Sequence, residues 1–514
     1  MNHEPDPAGA ALATEHYDVV ILGAGLSGVG AACRMLELCP DKSFVVLEGR
    51  DAIGGTWDLF RYPGVRSDSD MFTLSYPFQP WRGAKSIADG QSIRNYIVDT
   101  ATERGVLGHL RLQTWVERAD WSSREARWTL RTRVGPSSAA DAQTKTYTCS
   151  FLYACGGYYS YDQPHQPDFP GFEDFAGTFV HPQTWPRDLD CSGRQVVVIG
   201  SGATAVTLVP ALARQGAHVT MLQRTPSYLT ALPSVDRVGD RTRRRLPAGT
   251  AHAVMRARNV ALTQGFYLLS RRWPDKAKRM LRQVQLRYLD DPAYLDEHFS
   301  PPYEPWDQRL CVTPDGELLK AVARGQVEIV TDHIDRFVES GIRLRSGRTL
   351  PADVIVSATG LSMLAVGGMA VTVDGAPVEL GERYAYRGLM LDGVPNLAYC
   401  VGYANASWTL RADLVSRYVC RLLHYLDRRG YAYGTPVTPT VSRPKPLLPL
   451  SSGYVRRSLH RFPQQGDRSP WTVHQNYPLE SLLLPHANLA ADMTFVRRDA
   501  VRREPAQPAK AGVR

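Results

Sequence analysis

At 514 residues, with 43% hydrophobic and 22% charged residues, the chain is too long for one ordinary core and too apolar for a disordered one, so about two to four domains are expected. No apolar run approaches the ~18 residues of a membrane span, and the start of the chain lacks the basic and apolar blocks of a signal peptide, which predicts a cytoplasmic protein. The net charge of +9 comes from one place: residues 241–289 hold eleven Arg and two Lys against the single acid Asp275, a pattern that reads first as a solvated helical face, then as a peripheral membrane contact with anionic lipid, and that predicts no nucleic-acid partner.

In chain order, residues 1–16 are polar and are expected to be a disordered tail. Residues 17–22 form an apolar strand, a Gly-rich turn follows, 29–38 reads as a helix, and 43–47 is the next strand. This is a βαβ unit. The same grammar returns at 195–199, 206–214 and 217–222. Between Pro233 and Pro305 the pattern turns helical and Arg-rich, and strands resume at 327–330, 342–344 and 354–357. A helix is expected over 408–426, with Asn405 or Ser407 as its N-cap and Gly430 just past its end. The predicted fold class is therefore α/β, with two Rossmann-like dinucleotide-binding domains and a helical insertion in the second. The first domain is expected over 17–180 and again over 371–501. The second covers 191–230 and 305–365, the insertion 231–304, and 502–514 is a loose tail.

The first fingerprint is Gly23-Ala24-Gly25-Leu26-Ser27-Gly28. Gly23 makes the tight turn, Gly25 admits a pyrophosphate to the backbone, and Gly28 lets helix and strand pack closely. The helix N-terminus favours phosphate, with the Ser27 hydroxyl beside it. Glu48, twenty residues beyond Gly28, can accept hydrogen bonds from ribose hydroxyls. The fingerprint serves FAD and NAD alike, but Gly54-Gly55-Thr56-Trp57 right after the second strand permits a loop over the dinucleotide and favours FAD.

The second fingerprint, Gly200-Ser201-Gly202-Ala203-Thr204-Ala205, is followed by Gln223-Arg224-Thr225 where an acid would stand in an NADH site. An acid repels a 2′-phosphate, whereas Arg224 offers a charged fork and Thr225 a hydroxyl. NADPH is expected. The eight scattered cysteines include no CxxC pair, which removes the reacting group of a flavin disulfide reductase and predicts buried, reduced thiols.

Two longer patterns narrow the chemistry. Phe175, Gly177, His181, Trp185 and Pro186 satisfy FxGxxxHxxxWP, and Gly54, Gly55, Trp57, Tyr62, Pro63, Gly64 and Asp68 satisfy [AG]GxWxxxx[FY]P[GM]xxxD. Both resemble the signatures of type I Baeyer-Villiger monooxygenases, class B flavoproteins. The stretches 54–70, 305–311 and 405–410 resemble one subgroup of that family, the ethionamide-activating monooxygenases. The resemblance covers about 17–480.

It implies that Ser27, Glu48, Thr56, Trp57, Asp58, Leu59 and Asp68 contact FAD, with Val116 meeting the adenine through its backbone. It likewise implies that Arg66, Ser67, Asp68, Gly200, Ser201, Gly202, Ala203, Thr204, Ala205, Val206, Arg224 and Thr225 contact NADP. Arg309 matches the active-site arginine, held by Asp68, and Ala358-Thr359-Gly360 matches a turn joining the domains. Leu361 departs from the aromatic residue common in the family.

The implied reaction runs through a flavin C4a-peroxide and uses O2 to turn a ketone into an ester, with S-oxygenation of sulfides or thioamides beside it. Such a peroxide acts as an anion and needs a cation near it, which a guanidinium supplies at any working pH. A flavin monooxygenase making only N- or S-oxides would share fold and cofactors and remains the alternative. His181 reads as a structural residue at a linker, and Trp57 and Trp408 as pocket walls or core.

Overall fold

The computed structural model describes residues 14–136, 143–440 and 443–502. The first strand, Glu15–Leu22, is followed by helix Leu26–Leu38 and by strand Phe44–Leu47, which lies parallel to the first in the register Val19 to Phe44 through Leu22 to Leu47. Val19, Val20 and Ile21 are fully buried. That is the pattern of a parallel strand covered on both faces.

Order begins earlier than Tyr17, which corrects the expected extent of the tail. Glu15 and His16 are already in the strand, because the Glu15 carboxylate accepts a hydrogen bond from Tyr17 at 2.6 Å and pairs with Lys145, while His16 Nδ1 lies 3.0 Å from the Thr148 hydroxyl. The remainder of the expected N-terminal tail, 1–13, and residues 503–514 of the C-terminal one lie outside the described residues.

Strand Gln143–Ala154 organises the first sheet. It runs parallel to Glu15–Leu22 on one side; on the other it pairs antiparallel with Arg127–Val134 and then, at 152–154, parallel with Leu397–Tyr399. The chain thus returns to this sheet after completing the second one. Immediately afterwards helix Trp408–Arg429 packs on helix Leu26–Leu38. Ser407 is its N-cap and Gly430 closes it at φ +65°, a left-handed cap that glycine adopts without strain.

Beneath that helix Arg411 and Glu480, 1% and 4% exposed, form an ion pair. Tyr403 donates to the same carboxylate at 2.6 Å, and Arg411 also donates to the Arg387 carbonyl at 2.8 Å. The pair clamps helix Trp408–Arg429 to helix Tyr477–Leu483.

The second sheet is parallel throughout, in the order Val327–Thr331, His218–Gln223, Gln195–Ile199, Val354–Ser357, Thr178–Val180. Thr178–Val180 falls within the segment expected to belong to the first domain, yet it pairs with the second sheet. Three residues are too few to carry a periodicity that would have assigned them.

Between the parallel strand pair Leu229–Leu232 and Cys311–Pro314 the insertion contains helices Arg237–Arg245, Ala248–Arg272, Pro274–Gln285 and Pro292–Phe299. Asp236 and Asp291 cap two of them by accepting backbone N–H bonds, and proline opens two at a position where its missing N–H costs nothing.

The basic residues do not form one solvated face, contrary to the first reading of 241–289. Arg256 is buried and donates to the carbonyls of Phe72, Thr73 and Ser75; Arg258 pairs with Asp236 and Arg271 with Asp307. The exposed positions of helix Ala248–Arg272 between 253 and 270 are all alanine, valine, leucine or glycine. Among the described residues no helix is long and apolar enough to cross a membrane.

Glu480→Gln leaves Arg411 buried without a counter-charge. The expected cost is about 3–5 kcal/mol, read as an earlier denaturant midpoint. A midpoint equal to that of the unsubstituted protein would mean that water already screens the pair.

Candidate active site

Both fingerprints open onto one cavity of about 1010 Å³. This is the expected place for ligands in an open α/β sheet, beyond the carboxyl ends of its strands. At the first fingerprint a Cβ on Gly28 would lie 1.7 Å from the Gly23 carbonyl oxygen, so only glycine lets the helix begin this close to the strand. Gly25 faces Gly55, whose Cα lies 3.5 Å from where a Gly25 Cβ would be, and the Gly54 N–H donates to the Ala24 carbonyl at 3.1 Å. The Gly54-Gly55 loop therefore sits directly against the fingerprint, as its sequence position predicts.

Glu48 lines the cavity and is buried. Its carboxylate accepts from the N–H groups of Ala24 at 2.6 Å and Arg50 at 2.9 Å, yet burial outweighs these bonds and raises its pKa above the usual carboxylate value. Ser27 is also at the wall. Its hydroxyl accepts from the Trp408 indole at 2.6 Å, which joins the first helix to the start of helix Trp408–Arg429. Gly23, Thr56, Trp57 and Val116 complete the expected lining on this side.

Asp58 and Leu59 are not on the wall. The Asp58 carboxylate is buried between Arg50 at 2.6 Å, Arg94 at 2.8 Å and Arg61 at 3.0 Å; burial opposes its charge, but the three guanidiniums hold its pKa below the usual range. Leu59 packs against the core of the second sheet. The pair braces the loop rather than offering side chains to a ligand. Gly28, Ala205 and Val206 likewise act through packing and do not line the cavity.

At the second fingerprint Gly200 has φ +136°, and a Cβ there would meet the Ala358 carbonyl oxygen at 2.4 Å, which seats the Ala358-Thr359-Gly360 turn against the fingerprint. A Cβ on Gly202 would meet nothing within 4 Å, so its backbone is open to the cavity. Ser201 donates to the Thr225 carbonyl at 2.8 Å and lies 2.9 Å from the Ser227 hydroxyl, holding the turn after the second strand. Ala203, Thr204, Arg224 and Thr225 line the cavity. Arg224 is exposed and has no ion-pair partner among the described residues. Open backbone at a helix N-terminus, with an acid beside one site and a free guanidinium beside the other, fits two dinucleotides of different kinds.

Asp68 and Arg309 line the same cavity, together with Ser67. Arg66 donates to Asp68 at 3.2 Å and to the Val312 carbonyl at 2.8 Å, tying the loop 66–68 to the strand that follows Arg309. Burial raises the Asp68 pKa against the pull of Arg66 and Arg309. For Arg309, burial works against the charge, but Tyr158, Asp68, Tyr454 and Tyr159 raise its pKa above the ordinary value, so it stays protonated. Asp307, its nearest acid in sequence, is taken by Arg271 at 2.7 Å. No carboxylate forms an ion pair with Arg309 among the described residues.

Several wall residues were not singled out from sequence. Tyr158 and Tyr159 meet edge to face at 4.6 Å, and Tyr158 packs on Trp408 at 5.0 Å. Tyr454 and Arg457 come from the C-terminal part of the chain, where the Ser451 N–H donates to the Asp307 carbonyl at 2.7 Å and draws 451–457 to the cavity. The family resemblance is weak just before this segment, and nothing in its periodicity points inward. His181 caps a short turn by accepting from the Gln183 N–H at 3.1 Å, and Gln183 donates to the Ser160 and Tyr161 carbonyls. The linker histidine thus holds this turn through Nδ1.

Residues 21–86 match the family described as NAD(P)-binding Rossmann-like domain, and residues 137–267 match pyridine nucleotide-disulphide oxidoreductase. The second match reflects fold and not disulfide chemistry, since all eight cysteines are buried and free. By shape the chain is similar to an oxidized steroid monooxygenase bound to NADP, with TM-score 0.73 and 21% identity over 94% of this chain and 100% of that one. It is also similar to cyclohexanone monooxygenase in an open form, with TM-score 0.68 and 21% identity over 82% and 90%.

By sequence it is 48% identical to the FAD-containing monooxygenase EthA of Mycobacterium tuberculosis over 95% of this chain and 99% of that one. It is 50% identical to EthA of Mycolicibacterium smegmatis over 90% and 94%. With the probable FAD-binding monooxygenase AlmA of Acinetobacter baylyi the identity is 43% over 92% and 94%. With both glycine fingerprints on one cavity and relatives matched across nearly their whole length, the chain belongs to the family of FAD-containing monooxygenases.

Proposed function

We propose that this monooxygenase converts a ketone to an ester, with FAD at the first fingerprint and NADPH at the second. The balance is ketone, O2, NADPH and a proton giving ester, NADP+ and water. Bound FAD, once reduced, supplies the activated oxygen. The chain's residues supply binding, charge and shelter.

Arg309 carries this reading. A protonated guanidinium on the wall, without a carboxylate to neutralise it, stabilises the negative charge that develops on a ketone oxygen under attack. Asp68 lends it a nearby negative charge, and Arg66 fixes Asp68. Tyr158, Tyr159, Tyr454 and Trp408 form an aromatic wall that keeps water off the reacting atoms. Glu48 accepts hydrogen bonds from the FAD ribose, while Arg224 and Thr225 take the NADPH 2′-phosphate.

Oxygen transfer to the sulfur of a sulfide or thioamide needs no charge of this kind, and the same cavity serves both reactions. Arg309 is the residue that separates them. Arg309→Ala is expected to lower ester formation from a simple methyl ketone about 100- to 1000-fold while flavin reduction by NADPH continues. Ester formation at the original rate would overturn the role given to Arg309. Sulfide oxidation surviving in the same variant would mark sulfur transfer as independent of it.

Arg224→Ala should raise the KM for NADPH about 10- to 100-fold, the worth of a lost charge-assisted contact, and leave the KM for NADH nearly unchanged. Parallel increases for both nucleotides would instead mean that Arg224 shapes the turn.

A further inference from the structure

The insertion presents a surface that neither the cofactors nor the ketone chemistry explains. Helix Ala248–Arg272 turns Arg256 and Asn259 inward, where they hydrogen-bond to the segment 70–75. Its outer face should then be polar. Instead it carries Val254, Leu262 and Leu268, exposed to 47%, 58% and 51%, at spacings that place them along the outer side of the helix. Helix Tyr477–Leu483 packs against it and adds Leu482, 68% exposed, and Leu483. Exposed aliphatic residues gathered on neighbouring helices mark an interaction surface.

Its ends are cationic. Arg241, Arg244 and Arg245 are exposed just before the helix, Arg272 at its last position, and Lys276 and Arg279 just after it; none of the six has an ion-pair partner among the described residues. Trp273, half exposed, sits at the second end with the Arg272 and Lys276 charges 5.5 Å and 5.2 Å from its ring. An aliphatic face with cations and a tryptophan at its ends suits a helix lying on an anionic bilayer surface, the aliphatic residues meeting acyl chains and the cations meeting phosphates.

We infer that this face docks the enzyme on an anionic lipid surface, helix Ala248–Arg272 lying in the plane of the interface. Charge complementarity selects lipid over a second copy of the chain. Two copies facing each other across this helix, antiparallel or parallel, would set arginine-bearing ends against arginine-bearing ends. The undescribed termini offer little to cover the face, since 1–13 and 503–514 contain only Met1, Leu12 and Val513 as large aliphatic residues. The docked face belongs to the same insertion whose Arg271 pairs with Asp307, two residues before Arg309 in the sequence.

The test is flotation of the FAD-loaded enzyme with vesicles of phosphatidylglycerol and phosphatidylcholine in equal parts, against vesicles of phosphatidylcholine alone. The enzyme should float with the anionic vesicles, at least about tenfold less with the neutral ones, and should be released by about 0.5 M salt, where screening is nearly complete. Leu262→Asp with Leu268→Asp should abolish flotation, and Arg244→Glu with Arg245→Glu should weaken it. Both pairs should keep NADPH oxidation in solution, which verifies the fold. Failure to float with anionic vesicles overturns the inference, as does flotation that survives Leu262→Asp with Leu268→Asp. A dimer in sedimentation that this variant dissociates, without lipid binding, would assign the face to self-association instead.

Discussion

A guanidinium kept charged on a cavity wall, with no carboxylate paired to it among the described residues, is the constraint around which the site is arranged. Asp307, two residues away in sequence, is paired with Arg271 of the insertion. Asp68 acts on Arg309 through its charge, but its hydrogen bond goes to Arg66, and burial raises its pKa. The positive charge therefore remains available for an oxygen on which negative charge develops. Loop 66–68, the strand after Arg309, segment 451–457 and the insertion each hold one part of this balance.

The same economy of contacts appears in how the two nucleotide folds share their cavity. Gly28 and Gly200 each allow an approach of backbone to backbone that no other residue permits, and both serve to bring a helix N-terminus to the carboxyl end of a strand. The Trp408 indole bonded to Ser27 then fixes the C-terminal part of the chain to the first fingerprint. Parts of the sequence almost four hundred residues apart meet at one serine hydroxyl. The buried pair Arg411 and Glu480 secures that return.

Much of this was legible in the sequence, for a physical reason. A βαβ turn needs small residues at set positions, so the close approaches at Gly28 and Gly200 and the places of Glu48 and Arg224 on the cavity wall could be read singly. The direction of the Asp58 side chain was not legible, because position in a motif does not reveal which way a side chain points; Arg50, Arg61 and Arg94 decide that. Tyr454 and Arg457 left no signal, since a short helix draped on a cavity has no periodicity of its own. The charge of 241–289 was visible, but its division between buried anchors, ion pairs and free ends was not. That division turns an apparent solvated face into an aliphatic one with cationic ends.

The most direct measurement of the central claim is the fate of labelled oxygen. With 18O2, NADPH and a methyl ketone, the account predicts one 18O atom in the product, located in the ester oxygen between the two carbons, with NADPH consumed in equal amount. Label absent from the ester, or NADPH oxidised with release of hydrogen peroxide and no ester, would contradict it.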